Sequence, residues 1–222
     1  MENYLEILSQ CPLFHGISRE DTAQMLSCLN GNVRELGKGS YVFLEGEPAR
    51  FVGVVLSGAV QVVRDDFYGH RSILAQAEPG ELFGEVFSCA ELDILPVSAL
   101  CVKDCQVLML DCKRMLTVCS NACRFHSLLV QNLLRIVSVK NVLLSQKIRY
   151  MSQRTTQRKL MDYLMDQAKL QGSPEFTIPY DRQALADFLG VERSAMSAEL
   201  SKLKKAGILD FQGPRFCLKQ PL

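Results

Sequence analysis

The pattern of hydrophobic positions changes twice along the 222 residues of the chain. Residues 1–30 favour short helices, with Ser18 as an N-cap residue. From about 33 to 110, short runs rich in Val, Phe, Leu and Tyr recur between glycines at 7 to 12 residue intervals. This spacing is typical of antiparallel strands joined by tight turns, which close into a barrel or sandwich whose interior can hold a ligand. The predicted strands are 41–44, 51–56, 59–63, 72–75, 97–102 and 107–110.

From about 113 to 148 the chain contains neither Gly nor Pro, which predicts one long helix. Its seam advances by three and four residues through Leu129, Asn132, Ile136, Val139, Leu143 and Gln146. Because the flanking positions are apolar as well, the helix must bury more than one face. We expect it to pack on the barrel and to pair with its copy in a homodimer. The alternative is a single helix buried in the core of a monomer.

The last third of the chain has the pattern of a winged helix-turn-helix. A helix at about 154–169 and a short strand at 176–178 come first. Asp181 can then cap one helix, and Gly190 provides the permissive backbone of the turn. A second helix at about 192–205 buries Met196, Leu200 and Leu203. Two strand-like arms around Gln212-Gly-Pro214 form the predicted wing.

The outer face of the second helix carries candidate DNA contacts near its N-terminus, where such helices meet base edges. The guanidinium of Arg193 suits guanine O6 and N7, and the hydroxyls of Ser194 and Ser197 suit bases or phosphates. Side chains that could contact phosphates are Arg182, Gln183, Lys202, Lys204 and Lys205. We therefore expect double-stranded DNA as a partner, with a purely structural helical hairpin as the alternative.

The distribution of charge supports this expectation. Residues 147–222 hold thirteen Lys and Arg against eight Asp and Glu, a formal charge of +5. The preceding residues hold twelve against sixteen, a charge of −4, although the chain as a whole carries only +1. The basic part is the part that contains the helix-turn-helix, as expected of a surface that faces a polyanion.

Barrel, long helix and winged helix-turn-helix in this order resemble the CRP/FNR superfamily of bacterial transcription regulators. The motifs that carry the resemblance are Leu56-Ser-Gly-Ala-Val-Gln-Val62, Pro79-Gly-Glu-Leu-Phe-Gly-Glu85, and Arg182-Gln-Ala-Leu-Ala-Asp-Phe-Leu-Gly-Val191 followed by Arg193. The resemblance implies an α+β protein with an N-terminal antiparallel, jelly-roll-like β-roll at 1–112, a long dimerisation helix at 113–148 and a winged helix-turn-helix at 149–222. It also implies a homodimer on a palindromic operator, with RNA polymerase as a further partner.

The same resemblance places an effector pocket in the β-roll, at Phe83, Gly84, Glu85, Pro96, Val97 and Ser98. Relatives that bind cyclic nucleotides hold the phosphate with an Arg-Ser pair. The aligned stretch here is Asp93-Ile-Leu-Pro-Val-Ser98, and no basic residue lies between Phe83 and Lys103. A buried phosphate without an arginine would be poorly compensated. We expect a small-molecule effector of unknown identity and disfavour a cyclic nucleotide, cyclic AMP included.

A second departure from the family pattern lies in the second helix. Relatives with a Ser-Arg-Glu-Leu pattern carry an arginine where this chain has Ala198. Sequence preference is therefore expected to rest more heavily on Arg193 and Ser197.

Cys119, Cys123 and His126 recur at i, i+4 and i+7, on one face of a helix. These soft ligands suggest an alternative regulator that senses a metal or the redox state, while the simpler interpretation makes them small helix residues. The chain has nine cysteines, an odd number without regular spacing, and begins without the pattern of a signal peptide. We expect reduced thiols and a cytoplasmic location.

The sequence contains no phosphate loop, no nucleophile–base setting and no paired carboxylates in a convincing context, so we expect no enzymatic activity. An alternative from another class is a ligand-binding module that does not touch DNA. No uninterrupted apolar run reaches the roughly 18 residues that span a bilayer, so no membrane partner is expected.

Overall fold

The computed structural model describes residues 2–68, 71–117 and 124–219. Its contacts divide the chain into two compact units, Met1–Val139 and Lys140–Leu222. The division falls between Val139 and Lys140, within the predicted dimerisation helix 113–148.

Unit 1 begins with short helices and continues into strands. Ser18 caps the second helix, since its hydroxyl accepts a hydrogen bond from the backbone N–H of Asp21 at 3.1 Å. The helices are α1 (Glu2–Gln10), α2 (Arg19–Cys28) and, later in the chain, α3 (Glu85–Cys89) and α4 (Cys112–Leu116). The strands are β1 (Asn32–Leu36), β2 (Tyr41–Phe43), β3 (Phe51–Ser57), β4 (Val60–Asp65), β5 (Arg71–Ala77), β6 (Leu82–Phe83), β7 (Ser98–Cys101) and β8 (Cys105–Asp111).

The strands of unit 1 form two four-stranded antiparallel sheets, in the orders β1-β8-β3-β6 and β2-β7-β4-β5. Consecutive strands alternate between the sheets, as in a jelly roll, except for β4 and β5, which pair as a hairpin within one sheet; the predicted β-roll is confirmed. Close packing explains one glycine of β3: a Cβ on Gly53 would lie 2.2 Å from the ring of Phe83. The apolar side chains between the sheets form the core on which the candidate pocket is built.

The predicted long helix is divided in the structure into α4 and α5 (Arg124–Ser152). Leu129 is fully buried in unit 1, and the Nδ2 amide of Asn132 donates to the carbonyl oxygens of Leu13 at 3.0 Å and His15 at 2.8 Å. The prediction that these two residues lie on a dimer seam is wrong, because both are already used inside their own protomer. Of the remaining seam residues, Ile136 is half-buried, while Val139 and Leu143 are exposed.

By length and composition alone, one described helix could cross a membrane. Within Phe125–Ser152 an 18-residue window reaches a mean hydropathy of 1.3, although only 17% of that window is buried. The sequence pattern did not show this because Asn132, Arg135 and Lys140 interrupt every apolar run. Helices that pair with a second protein surface are likewise apolar and exposed in the isolated chain.

Unit 2 contains the last turns of α5, three more helices and a small sheet. The helices are α6 (Thr156–Gln171), α7 (Arg182–Leu189) and α8 (Arg193–Lys205). The strands are β9 (Glu175–Thr177), β10 (Leu209–Gln212) and β11 (Arg215–Leu218), arranged antiparallel in the order β10-β11-β9. The predicted helix-turn-helix and wing are both present, and β9 extends the wing by pairing with β11.

Candidate nucleic-acid interface and effector pocket

The helix-turn-helix of unit 2 is fixed by one cap and one turn. The carboxylate of Asp181 accepts a hydrogen bond from the backbone N–H of Ala184 at 2.8 Å, which caps α7. Gly190 ends that helix with a φ of 60°, a left-handed conformation that glycine adopts without strain. The side chains that join α7 to α8 are fully or almost fully buried: Leu185, Leu189, Met196, Leu200 and Leu203.

This packing leaves the opposite face of α8 exposed to solvent. Arg193, the first residue of the helix, is exposed together with Ser194 and Ala198, while Ser197 is half-buried. These positions lie on the face that the sequence analysis assigned to DNA. The exposed guanidinium at the helix start has the chemistry of a base-reading side chain.

Arg182 has a different position from the one the sequence suggested. Its guanidinium lies 4.7 Å from the ring centre of Phe211 and 5.1 Å from that of Phe216, and its Nη2 donates to the carbonyl oxygen of Gly213 at 3.1 Å. Burial lowers the pKa of this arginine. A guanidinium held in this way fixes the wing against α7, so Arg182 is a residue that positions the wing rather than a free phosphate contact.

The other predicted phosphate contacts lie on the surface, and several are engaged. Gln183 donates to the carboxylate of Asp187 at 2.8 Å. Lys202 pairs with Glu199 at 2.6 Å, and Lys204 pairs with Asp210 at 2.6 Å. Lys205 is exposed and makes no ion pair within the described part of the chain. Exposed ion pairs are weak and exchange readily for phosphate, so these lysines stay available.

Two basic residues escaped the sequence analysis. Arg215 is exposed at the start of β11, beside the turn of the wing. Lys159 donates from α6 to the carbonyl oxygens of Leu189 and Gly190, each at 3.4 Å. It therefore stabilises the C-terminal end of α7, where a cation is favoured. The sequence around Lys159 gave no indication of this role, because the carbonyl oxygens that it contacts lie about 30 residues further along the chain.

An aromatic cluster joins the end of α5 to the helix-turn-helix inside unit 2. Tyr150, Tyr163, Tyr180 and Phe188 pack with ring centres 4.9–6.2 Å apart. The hydroxyl of Tyr150 donates to Asp166 at 2.7 Å. Burial and this hydrogen bond raise the pKa of Tyr150 to about 12. The cluster anchors the last turns of α5 in the core of unit 2.

In unit 1, the residues predicted to line an effector pocket fall into two groups. Phe83, Gly84 and Glu85 connect β6 to α3 and are all buried. Gly84 has a φ of 80°, and a Cβ there would lie 3.3 Å from the ring of Phe43. Phe83 itself packs on Phe43 with ring centres 5.9 Å apart.

The second group, Pro96, Val97 and Ser98, enters β7. Val97 is buried, Ser98 is half-buried and Pro96 is exposed. The Ser98 hydroxyl accepts a hydrogen bond from the backbone N–H of Glu45 at 2.9 Å. In the stretch aligned with the family's Arg-Ser pair, Leu95 and Val97 are buried apolar side chains. That part of the roll therefore offers hydrocarbon where a phosphate needs a cation.

Two cavities lie elsewhere. One of about 630 Å³ lies on the far side of α3, and none of the six predicted pocket residues lines it. Its lining is Pro48, Ala49, Arg50, Ser88, Glu91, Leu92, Asp93, Asp111, Cys112, Lys113 and Leu116. The other, of about 760 Å³, lies in unit 2 against the sheet of the wing, with Lys204 and Arg215 in its lining.

The cysteine–histidine trio lies mostly outside the described residues, which do not include Cys119 and Cys123. His126 is described and is buried, and its Nε2 lies 2.8 Å from the carbonyl oxygen of Met115. Within the described ranges, no group of three or more His, Cys, Asp or Glu residues is arranged to hold a metal ion.

Comparison with known families agrees with this architecture. A model of the cyclic nucleotide-binding domain matches residues 33–122, and a model of the Crp-like helix-turn-helix domain matches residues 158–221. Together the two models cover more than half of the chain, in the order in which the two units occur.

Three known proteins illustrate the similarity. A cyclic AMP receptor protein of Thermus thermophilus is 34% identical over 99 residues, which are 45% of this chain and 44% of that protein. The nitrogen fixation regulation protein FixK of Azorhizobium caulinodans is 25% identical over 213 residues, or 90% of this chain and 81% of FixK.

The third is a solved structure, that of the c-di-GMP-responsive global regulator CLP of Xanthomonas campestris. It superimposes with a TM-score of 0.58 at 18% identity, over 90% of this chain and 99% of CLP, and shows the shared fold. The two matched domains, their order and the fold agree. The chain belongs to the CRP/FNR superfamily of DNA-binding transcription regulators, a family of non-enzymatic proteins that act as dimers.

Proposed function

We propose that this protein is a cytoplasmic transcription regulator that binds a palindromic operator as a homodimer and responds to a small molecule held by its β-roll. The observation that carries the DNA-binding part is the exposed start of α8. There Arg193 and Ser194 face solvent on a helix whose opposite face is buried, within the basic third of the chain. RNA polymerase is the expected partner at the promoter.

The test of DNA recognition begins with the selection of bound duplexes from a random library, followed by fluorescence anisotropy on the selected site. We expect a two-fold symmetric site, with half-sites about one helical turn apart. Arg193→Ala should weaken binding to that site by about 10- to 100-fold and relax preference at one base pair of each half-site.

The matched control is Arg64→Ala, which removes an exposed arginine from β4 in unit 1. It should leave both affinity and preference unchanged. Equal affinity of wild type and Arg193→Ala for the selected site would refute the assignment of Arg193 as a base contact.

Support for the homodimer comes from the exposed apolar side chains of α5. In unit 1 these are Leu134 and Val139; in unit 2 they are Val142, Leu143, Leu144, Ile148 and Met151. So many exposed large apolar residues along one helix favour pairing with a second copy. The seam proposed for that pairing is Ile136, Val139 and Leu143, without Leu129 and Asn132.

Leu143→Glu tests this seam, because two carboxylates facing each other across a paired helix repel. We expect a monomer in light scattering at a concentration at which the wild type is a dimer. Ser145→Glu, an exposed position on another face of α5, should remain a dimer. A dimeric Leu143→Glu protein would exclude this part of the helix as the interface.

The effector is proposed to be a small molecule other than a cyclic nucleotide. Apolar, buried Leu95 and Val97 in the aligned stretch support this, since a phosphate there would lack a cation. The alternative sensor built on Cys119, Cys123 and His126 is less well supported. The imidazole of His126 is already hydrogen-bonded to a backbone carbonyl in the core.

A further inference from the structure

Two cysteines that are distant in the sequence meet beside the candidate pocket of unit 1. Cys89 is the last residue of α3 and Cys112 is the first residue of α4, and their sulfur atoms lie 3.6 Å apart in a thiol–thiol hydrogen bond. The two helices contact each other. A disulfide bond needs about 2.05 Å between the sulfurs, so a side-chain adjustment of about 1.5 Å would join them.

The two thiols differ in environment. Cys112 is buried, with 3% of its surface exposed, whereas Cys89 is half-buried. The hydrogen bond from Cys112 lowers the pKa of the Cys89 thiol, against the opposing effects of burial and of the nearby Glu85 carboxylate. The same hydrogen bond, with burial and the carboxylates of Asp111 and Glu91, raises the pKa of Cys112. Cys89 is the more exposed thiol of the pair, and this makes it the candidate for first attack on a dissolved oxidant.

A route for a small oxidant is also present. The cavity of about 630 Å³ beside α3 is lined by Cys112 and by Ser88. Cys89 is not in this lining, but it is half-buried and hydrogen-bonded to Cys112, which is. The same lining carries two cations, Arg50 and Lys113, and three carboxylates, Glu91, Asp93 and Asp111, so the route suits a neutral oxidant. Hydrogen peroxide is small enough to enter such a space.

A second pair of neighbouring cysteines differs from Cys89 and Cys112 in its burial. Cys101 and Cys105 are both buried between the sheets, and the Cys105 thiol donates to the carbonyl oxygens of Ala59 and Lys103. Burial raises the pKa of Cys101 to about 12. Neither thiol lines the cavity beside α3. These two buried residues provide an internal comparison for the Cys89–Cys112 pair.

We propose that Cys89 and Cys112 form a hydroperoxide-reactive dithiol that closes to a reversible disulfide. The Cys89 thiolate attacks one oxygen of hydrogen peroxide and becomes a sulfenic acid; the O–O bond breaks, and the departing hydroxide takes up the proton that the Cys89 thiol released on ionisation and leaves as water. The Cys112 sulfur then attacks the Cys89 sulfur; the S–O bond breaks, and the Cys112 proton and the released hydroxide form a second water. Two thiols are oxidised by two electrons, and one peroxide is reduced to two waters.

The product ties the end of α3 to the start of α4. Because α3 has only five residues and directly follows Gly84, the disulfide would hold the whole helix and its connection to Phe83. Reduction by a dithiol reverses the reaction through thiol–disulfide exchange. The site does not depend on the identity of the effector or on the DNA contacts proposed for α8.

The test is peptide mapping of the full-length protein. Reduced, folded protein is treated with a small excess of hydrogen peroxide and quenched by denaturation in N-ethylmaleimide. We expect a Cys89–Cys112 linked peptide, formed several-fold faster than any modification of exposed Cys28, with Cys101 and Cys105 still alkylated. Dithiothreitol should restore both thiols. Retention of alkylated Cys89 and Cys112 while Cys28 is oxidised would overturn the proposal, as would a disulfide to another cysteine.

Single variants separate the two steps. Cys112→Ser should stop the reaction at a Cys89 sulfenic acid that dimedone traps, whereas Cys89→Ser should leave Cys112 reduced. Cys112→Ala serves as a second variant if the serine perturbs packing, and circular dichroism melting verifies folding. Cys28→Ser should form the disulfide at the wild-type rate. A folded Cys112 variant that yields no dimedone adduct would show that Cys89 is not the nucleophile.

Discussion

The sequence predicted binding at the N-termini of two helices, α3 and α8, and in the structure these N-termini differ in solvent exposure. At the start of α3, Gly84 is buried against the ring of Phe43, and the Glu85 side chain is buried as well. At the start of α8, Arg193 is exposed, and Glu192 before it makes no side-chain cap. The first N-terminus is buried, and the second is open to solvent and presents a guanidinium. A motif therefore identifies a place in the fold, while exposure and charge decide which ligand that place can take.

The largest expected effect tests whether the start of α3 is packed core. Phe83→Ala removes a buried ring between β3 and β6 and should lower the free energy of unfolding of unit 1 by about 3–5 kcal/mol. Urea denaturation provides the measurement. The control Val86→Ala, at a half-exposed position on α3, should cost less than about 1 kcal/mol. A loss at Phe83 as small as at Val86 would mean that the ring lines open space.

A smaller effect distinguishes the two arginines of the DNA-binding unit. Arg182→Ala removes the cation over two aromatic rings and the hydrogen bond to the wing, which should cost about 1–2 kcal/mol of unfolding free energy. Because its guanidinium faces the wing, the preferred operator sequence should not change. Differential scanning calorimetry and a repeat of the duplex selection test both statements. A changed base preference with unchanged stability would reverse the assignment.

The smallest effect concerns Tyr150. Its pKa is raised from 10.0 to about 12, so its stabilising contribution is complete below pH 10 and is lost as the pH rises through 12. Tyr150→Phe should cost about 1 kcal/mol at neutral pH, from the lost hydrogen bond to Asp166. Between pH 10 and 12 the stability of the variant should decline less steeply than that of the wild type. Parallel curves over this window would show that Tyr150 does not titrate there.

Most of the architecture could be predicted from periodicity alone. The runs 51–56 and 107–110 appear in the structure as the paired strands Phe51–Ser57 and Cys105–Asp111. The polar strand Asn32–Leu36 was missed, because Val33 is its only β-branched residue and it has no aromatic residue to mark it as a strand. Periodicity also placed one helix at 113–148, where the structure has α4 and then α5, since the apolar spacing continues without a breaking residue.

The site residues also fall into two groups, those whose environment the sequence could predict and those whose environment it could not. The exposure of Arg193 and Ser194 follows from the helical repeat and the buried positions beside them. The contacts of Arg182 and Asn132 do not, because their partners lie about 30 and more than 100 residues away in the sequence. From the sequence, a charged or amide side chain on a helix is predicted to face solvent. Only the fold shows that a ring or a carbonyl oxygen from a distant part of the chain contacts it.

The division of α8 into two faces has a consequence for how such a regulator can change over time. Met196, Leu200 and Leu203 hold the helix in the core, whereas Arg193, Ser194 and Ala198 carry almost none of that packing. A substitution on the exposed face can therefore alter which operator is preferred without endangering the fold. Ala198, a bare methyl group facing solvent, is open to longer side chains, so new target genes can be acquired one substitution at a time.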